Sequence, residues 1–235
     1  MEVEDEDDII SKVIIIGEEG VGKKSIQERF VKGIFRETHY MIGSSTHEEI
    51  PSKRMVVDEI QGKSVKFEIW VTYGGYHFLP SFYYRGVRIV ILVYDITSHK
   101  SFEEIKKFWY NEIKKNCAKN ISKYYIYFIL MNLVIGLAGN KIDLYDKEQV
   151  SEAEARKYAS EIGVVFKLTS ALNGTGIEEL FKILGRKIFD PNYIENENRY
   201  ERKILWKYSN TRGAATLDAY NTKEKPTSNS WCNFY

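Results

Sequence analysis

The stretch Val13-Ile14-Ile15-Ile16-Gly17-Glu18-Glu19-Gly20-Val21-Gly22-Lys23 joins an apolar, β-branched run to a glycine-rich segment that ends in lysine. The first four residues are typical of a buried strand, and a helix-like segment begins at Lys23. The segment between them has the spacing G-x-x-x-x-G-K, which is that of a phosphate-binding loop between a strand and a helix. The stretch therefore predicts such a loop after the first strand.

A second motif, Asn140-Lys141-Ile142-Asp143, lies downstream. The Asp143 carboxylate can accept two parallel hydrogen bonds from N1–H and the 2-amino group of guanine, an edge that adenine does not present. The Asn140 amide can donate toward the N7/O6 side, and the apolar stem of Lys141 can lie on the ring face with its ammonium in water. Together the two motifs predict a guanine-nucleotide site.

The rest of the chain alternates strand-like runs with helix-like segments, the rhythm of a largely parallel sheet. Gln61-Gly62 between two extended runs predicts a hairpin and one antiparallel edge strand. Capping boxes predict helix starts at Ser101, Ser151 and Thr175, each with a glutamate three residues later. The further strand-like runs are 65–69, 89–93, 133–138 and 164–168.

Composition and charge limit the possible functions. The chain has 235 residues, of which 43% are hydrophobic, enough for one domain and a tail. We assign residues 1–11 to an acidic leader, 12–189 to the domain and 190–235 to a variable, flexible tail. A net charge of +1 gives no field that would attract nucleic acid. The two cysteines are far apart, and Tyr124–Ala138 is too short for a membrane span, so we expect a cytoplasmic protein.

Four motifs, in order and in register, resemble those of a small GTPase of the Ras superfamily, and within it the Rab branch, over residues 12–189. They are the phosphate loop, Trp70-Val71-Thr72-Tyr73-Gly74-Gly75 at the place of the family's WDTAGQ, Gly139-Asn140-Lys141-Ile142-Asp143, and Thr169-Ser170-Ala171-Leu172. Tyr83-Tyr84-Arg85-Gly86 and Tyr94-Asp95-Ile96-Thr97 add to the Rab pattern. The resemblance implies a P-loop α/β fold with a mostly parallel six-stranded sheet and helices on both faces.

The resemblance also implies a ligand, GTP or GDP, and roles for particular residues. Backbone amides of Gly20 to Lys23 would surround the phosphates, Phe35 would stack on the guanine, and the Ala171 amide would meet the base oxygen. A core position is the alternative for Phe35. The partners implied are effector and regulator proteins of the Rab type. The full predicted nucleotide-binding set is Gly20, Val21, Gly22, Lys23, Lys24, Ser25, Phe35, Gly74, Asn140, Lys141, Asp143, Ser170, Ala171 and Leu172.

The chain departs from the family at the positions that serve magnesium and water. P-loop GTPases hold Mg²⁺ with a phosphate-loop hydroxyl, a switch threonine and an acidic side chain, and orient water with a glutamine. Those positions carry Lys24, Met41 (Ile42 in an ungapped register), Val71 and Gly75. We therefore expect weak or absent hydrolysis and question whether Mg²⁺ binds.

We interpret Lys24 as a partial electrostatic substitute for the missing metal. In the alternative, Lys24 points to solvent while Ser25, or a residue from Ser44 to Thr46 after a loop slip, supplies a hydroxyl. Three functions remain open at this point: a Rab-like binder in vesicle traffic, an active GTP-hydrolysing switch, and a nucleotide-free scaffold.

Three further features concern partners and processing. Trp70 and Tyr84 occupy two places of an aromatic face that Rab effectors contact, while Thr46 fills the third; alternatively, both aromatics only cover the sheet. The segment 121–131 has no counterpart in the family, and is either an insertion or retained non-coding sequence. Cys232, four residues from the end, stands as in a prenylation box, which would attach the tail to the cytoplasmic face of endomembranes; an ordinary tail cysteine is the alternative.

Overall fold

The computed structural model describes residues 9–37, 50–59, 61–72, 80–117 and 133–193, and these form a six-stranded sheet with the strand order β2-β3-β1-β4-β5-β6. All neighbouring strands are parallel except β2 and β3, which form an antiparallel hairpin. The mostly parallel sheet and the hairpin at Gln61-Gly62 are therefore confirmed. The strands are β1 (Ile9–Ile16), β2 (Ser52–Asp58), β3 (Lys63–Val71), β4 (Val87–Asp95), β5 (Val134–Asn140) and β6 (Val165–Leu168).

Helices follow the parallel strands. A π-helical segment, Ile105–Trp109, joins α3 to α4, and a 3₁₀ segment, Ile142–Lys147, follows β5. None of the helices in the described ranges is both long enough and apolar enough to cross a bilayer. The α-helices are α1 (Lys23–Lys32), α2 (Ser81–Tyr84), α3 (His99–Glu104), α4 (Tyr110–Cys117), α5 (Glu152–Ile162) and α6 (Ile177–Phe189).

Aromatic clusters show that both faces of the sheet are covered. On one face the Phe30 ring of α1 stacks on the Phe181 ring of α6 with centroids 3.7 Å apart, and Phe67 of β3 meets both edge-on. Tyr94 of β4 packs on the other face against Phe102 of α3. Because successive residues of a strand point to opposite faces, this arrangement confirms the two helical layers.

The helix starts match only one of the three predicted capping boxes. Ser151 caps α5, since its Oγ accepts the N–H of Glu154 at 3.2 Å. Helix α3 begins at His99, where Ser98 rather than Ser101 is the cap; Ser101 lies inside the helix and donates its hydroxyl hydrogen bond to the Ser98 carbonyl at 2.7 Å. The prediction at Ser101 was wrong because an S-x-x-S pair offers two candidate caps.

The third predicted cap was also wrong, because α6 begins at Ile177 after Gly176, and not after Thr175. Gly176 has φ of +74°, and a Cβ there would lie 2.0 Å from the Leu168 carbonyl oxygen. Only glycine fits so close to another backbone with that conformation. The helix start is therefore set by its contact with the end of β6.

Strand β1 and helix α6 stand at the two ends of the described domain. Strand β1 begins at Ile9, which pairs with Val65, so residues 9–11 belong to the sheet and not to the leader. Helix α6 ends at Phe189. Residues 1–8, the segment 121–131 and the tail from residue 194, with Cys232, lie outside the described residues.

Candidate functional site

A cavity of about 740 Å³ opens at the carboxyl ends of the parallel strands. This is the edge at which open α/β sheets bind their ligands, and the volume falls within the usual range for small-molecule sites. Eleven of the predicted nucleotide-binding residues line it: Gly20, Gly22, Lys23, Lys24, Ser25, Phe35, Asn140, Lys141, Asp143, Ala171 and Leu172. Three motifs that are far apart in sequence therefore meet in one cavity.

Two predicted site residues within the described ranges do not line the cavity. Val21 is 1% exposed and offers its carbonyl to the Asn140 side chain. Ser170 is fully buried and donates a hydrogen bond to Asp143. Gly74, together with Gly75 at the glutamine position and Met41 or Ile42 at the switch position, lies outside the described residues.

The Lys23 ammonium lies over the phosphate loop. Its Nζ donates to the Gly17 carbonyl at 2.8 Å and the Glu18 carbonyl at 2.7 Å. Burial lowers the pKa of Lys23 from 10.5 to about 8, and the carboxylates of Glu18 and Glu19 partly offset this. Without a ligand, much of the charge that an anion would need is therefore lost near pH 8 and above.

Nucleotide affinity should consequently depend on the protonation of Lys23. A bound phosphate favours the charged lysine, so binding takes up a proton above pH 8, and we expect the affinity for GDP to fall about tenfold per pH unit there. Titration calorimetry from pH 7 to 9, in buffers of different ionisation enthalpy, would measure both the affinity and the proton uptake. A Lys23→Arg variant, whose guanidinium stays charged, is the control. If the wild type and the variant showed the same dependence of GDP affinity on pH, the role of Lys23 protonation would be contradicted.

Asp143 is oriented by a hydroxyl. Its Oδ1 accepts a short hydrogen bond from Ser170, whose Oγ in turn accepts the N–H of Asn173 at 3.3 Å. Asp143 is half-buried at the cavity wall. The carboxylate is thereby held in one orientation, as a bidentate contact with a base edge requires.

Asn140 connects the three loops around the cavity. It is 1% exposed, and its Nδ2 donates to the Val21 carbonyl at 2.8 Å. Its Oδ1 accepts from the Thr169 hydroxyl at 3.2 Å and from the Ala171 N–H at 3.3 Å. The side chain was expected to donate to the base, but here its partners are protein groups, and it shares the Ala171 N–H that was expected for the base oxygen. Its role is to hold the phosphate loop against the loop after β6.

Lys141 adopts φ of +69°, the one positive φ of a non-glycine residue in the described ranges. Its Nζ lies 2.6 Å from Asp95 Oδ2, so the ammonium, which was expected in water, is paired with a carboxylate in a side chain that is 33% exposed. Asp95 Oδ1 accepts the N–H and the hydroxyl of Thr97, which fixes that carboxylate. The ion pair holds the lysine stem at the cavity wall. In the sequence Asp95 is only part of a motif that resembles the Rab pattern, and its spacing from Lys141 gives no sign of the pair.

Arg29 supports the loop that lines the cavity, a role that the sequence did not reveal. Its guanidinium donates to the carbonyls of Ala171 at 2.8 Å, Leu172 at 2.5 Å and Gly33 at 2.6 Å. Arg29 lies in the last turn of α1, and so joins that helix to the loop that forms one side of the base site. Phe35 comes shortly after α1 in the chain. It is half-buried, packs against the core and also lines the cavity, so its position suits both a core residue and a residue that stacks on the base.

The metal positions present no hard oxygen from Lys24 or Val71. The Lys24 Nζ donates to Gln27 Oε1 at 2.8 Å, and Lys24 is exposed at the cavity. Val71 is half-buried and packs against the core. Ser25 is only 7% exposed. Lys24 and Val71 therefore supply none of the oxygen ligands, in octahedral arrangement, that Mg²⁺ requires.

The two aromatic residues assigned to the effector face differ in exposure. Trp70 is half-buried, packs edge-on against Tyr83, and has the Lys12 ammonium 4.5 Å above its ring. Tyr84 is only 7% exposed. Of the two side chains, Trp70 is therefore the more exposed, and it is the one that a partner could contact.

A glycine-rich loop at a helix N-terminus and the Asp143 carboxylate at the wall of the same cavity are typical of a P-loop protein of the guanine-nucleotide class. The chain belongs to the Ras family, whose model matches residues 12–190. It is a Rab-like small GTPase by similarity, and membership of the family implies binding of GTP and GDP.

Three curated relatives illustrate the similarity. Ras-related protein Rab5 of Nicotiana tabacum is 38% identical over 181 residues, which are 76% of this chain and 80% of the relative. Ras-related protein Rab-5A of Dictyostelium discoideum is 38% identical over 180 residues, 75% and 80% of the two chains. Ras-related protein RABF2b of Arabidopsis thaliana is 36% identical over 193 residues, 81% and 86% of the two chains.

Proposed function

We propose that this protein is a Rab-like guanine-nucleotide-binding protein of intracellular vesicle traffic that hydrolyses GTP weakly or not at all. The observation that carries the proposal is the position of Lys24, an exposed cation at the cavity where a metal-binding hydroxyl would stand. Similarity to Rab5 relatives supports the trafficking role. The proposal includes Rab-type effectors and regulators, and attachment to the cytoplasmic face of endomembranes, for which Cys232 is the candidate.

Weak hydrolysis follows from the chemistry of the available groups. In P-loop GTPases the metal neutralises charge that develops on the phosphates, and a glutamine orients the attacking water. Lys24 repels a cation, Val71 has no oxygen to offer it, and Gly75 has no side chain to hold water. These replacements therefore remove groups that would stabilise the transition state of GTP hydrolysis.

Binding of the nucleotide itself requires fewer groups than its hydrolysis does. An ammonium can offset phosphate charge without a metal, and loop amides at a helix N-terminus already favour an anion. Lys24 and Lys23 together place two lysines at the cavity. The protein should thus retain GDP when divalent ions are removed.

A titration with fluorescently labelled GDP, in EDTA and in excess Mg²⁺, tests this. We expect wild-type dissociation constants that agree within about threefold, because no metal contact is lost. The Lys24→Ser variant should bind about tenfold more weakly in EDTA, since one charge-assisted contact is removed. Lys32→Ser, at the exposed far end of α1, is the matched control and should bind as wild type does.

Three measurements on the same preparations separate the competing functions. Loss of labelled GDP from the wild type in EDTA would contradict metal-independent binding. Phosphate release from GTP above background, with or without cell extract, would instead favour an active switch. Denaturing extraction of the purified protein shows whether a nucleotide co-purifies, and an empty protein that also fails to bind added GDP would favour a scaffold.

A further inference from the structure

Gln27 is a polar side chain buried in the first half of α1. It is 3% exposed, between the apolar residues Ile26 and Phe30 of the same helix. A buried amide is costly unless both its donor and its acceptor are hydrogen-bonded. Gln27 meets this condition, with Nε2 donating to the Ile69 carbonyl of β3 at 2.8 Å and Oε1 accepting from Lys24 Nζ at 2.8 Å.

These two bonds fix the direction of the amide. Only its NH₂ group can bond to the Ile69 carbonyl, so the oxygen must face the opposite way, toward Lys24. Residues three apart in a helix lie on the same face, which brings the ammonium within reach. The Ile69 carbonyl of β3 therefore orients the Gln27 amide so that its oxygen points toward Lys24, the residue at the metal position.

The partner of Lys24 matters for its charge. Within the described part of the chain the ammonium is bonded to a neutral amide, and not to a carboxylate, so its positive charge is not cancelled by its partner. Lysine has a long flexible stem whose freedom is lost when it binds an anion. A contact that restrains the stem before binding reduces that loss.

We infer that Gln27 is a positioning residue that holds Lys24 at the phosphate end of the cavity, so that the chain from Ile69 through Gln27 to Lys24 forms a fixed cation in place of the metal. This inference rests on the proposed metal-independent binding of guanine nucleotides. Gln27 also lines the cavity, so the test must separate an effect through Lys24 from a direct contact between Gln27 and the ligand. If Gln27 acts through Lys24, its removal should weaken binding in proportion to the phosphate charge that Lys24 offsets.

The test is a double-mutant cycle of Gln27→Met and Lys24→Met, with affinities for GDP and GMP measured in EDTA by competition against labelled GDP. Methionine preserves the length of each side chain but removes the hydrogen bond. We expect Gln27→Met to weaken GDP binding about fivefold and GMP binding less than twofold, because GMP carries less phosphate charge. In the Lys24→Met background, Gln27→Met should change GDP binding by less than twofold.

Damage to the fold gives a different pattern. A Gln27→Met variant that merely distorts α1 should lose GDP and GMP affinity by equal factors, and its effect should multiply with that of Lys24→Met; either result would overturn the inference and leave the proposed function standing. If the wild-type protein did not bind GDP in EDTA, the proposed metal-independent binding would be contradicted, and so would the inference that rests on it.

Discussion

Replacing Asp143 by asparagine should lower the affinity for GDP by about a thousandfold or more and create affinity for xanthosine diphosphate. The structure indicates how the new amide would lie. Ser170 donates to Asp143 Oδ1 while its own oxygen accepts from Asn173, so the amide oxygen of the D143N variant would stay at Ser170. Its NH₂ group would then meet the N–H donors of guanine, and a site with mismatched polar groups rejects its ligand strongly.

Xanthine has an oxygen where guanine has the 2-amino group, so it offers the D143N amide an acceptor. Competition of GDP, ADP and xanthosine diphosphate against a labelled nucleotide, for wild type and variant, would measure the exchange of specificity. Asp146→Asn is the matched control, since Asp146 lies in the same 3₁₀ segment but is exposed and does not line the cavity. Retention of GDP binding by D143N would show that Asp143 does not read the base.

The fold could be predicted because its signals are local. The runs Val13–Ile16 and Ile89–Val93 are apolar on both faces, as central parallel strands must be, and both lie at the centre of the observed sheet. The Gln61-Gly62 turn is likewise a local pattern. The missed cap of α6 has a physical reason, because Gly176 is required by contact with Leu168 and not by the residues around it.

The connections within the site could not be predicted, because they join residues far apart in sequence. Arg29 bonds to a loop 142 residues away, and Gln27 reaches a strand 42 residues away. In the sequence, Arg29 and Gln27 both occupy ordinary polar positions of an amphipathic helix. The Lys141 to Asp95 pair depends on the register of β4 beside β5, in which Asp95 lies opposite Asn140. Motifs thus indicated which residues meet the ligand, but not which residues hold them in place.

Replacing Gly22 by alanine should abolish nucleotide binding and destabilise the protein. Gly22 precedes α1 with φ of +95°, and a Cβ there would lie 2.3 Å from Asn140 Nδ2. Because Asn140 is 1% exposed, it cannot swing away without breaking its bonds to Val21, Thr169 and Ala171. We expect GDP affinity to fall at least about a hundredfold, and the free energy of unfolding to drop by about 3 kcal/mol from strain and lost hydrogen bonds.

Gly20→Ala separates the clash from the backbone strain. Gly20 also has a positive φ, +77°, in the same loop, but a Cβ there has no heavy atom within 4 Å in the described structure. It should lose about 1 kcal/mol of stability and keep most of its GDP affinity. Denaturant unfolding and labelled-GDP titration of both variants give the comparison. If the two alanines weakened binding equally, the contact between the phosphate loop and Asn140 would not be what holds the site together, and left-handed backbone geometry alone would account for the loss.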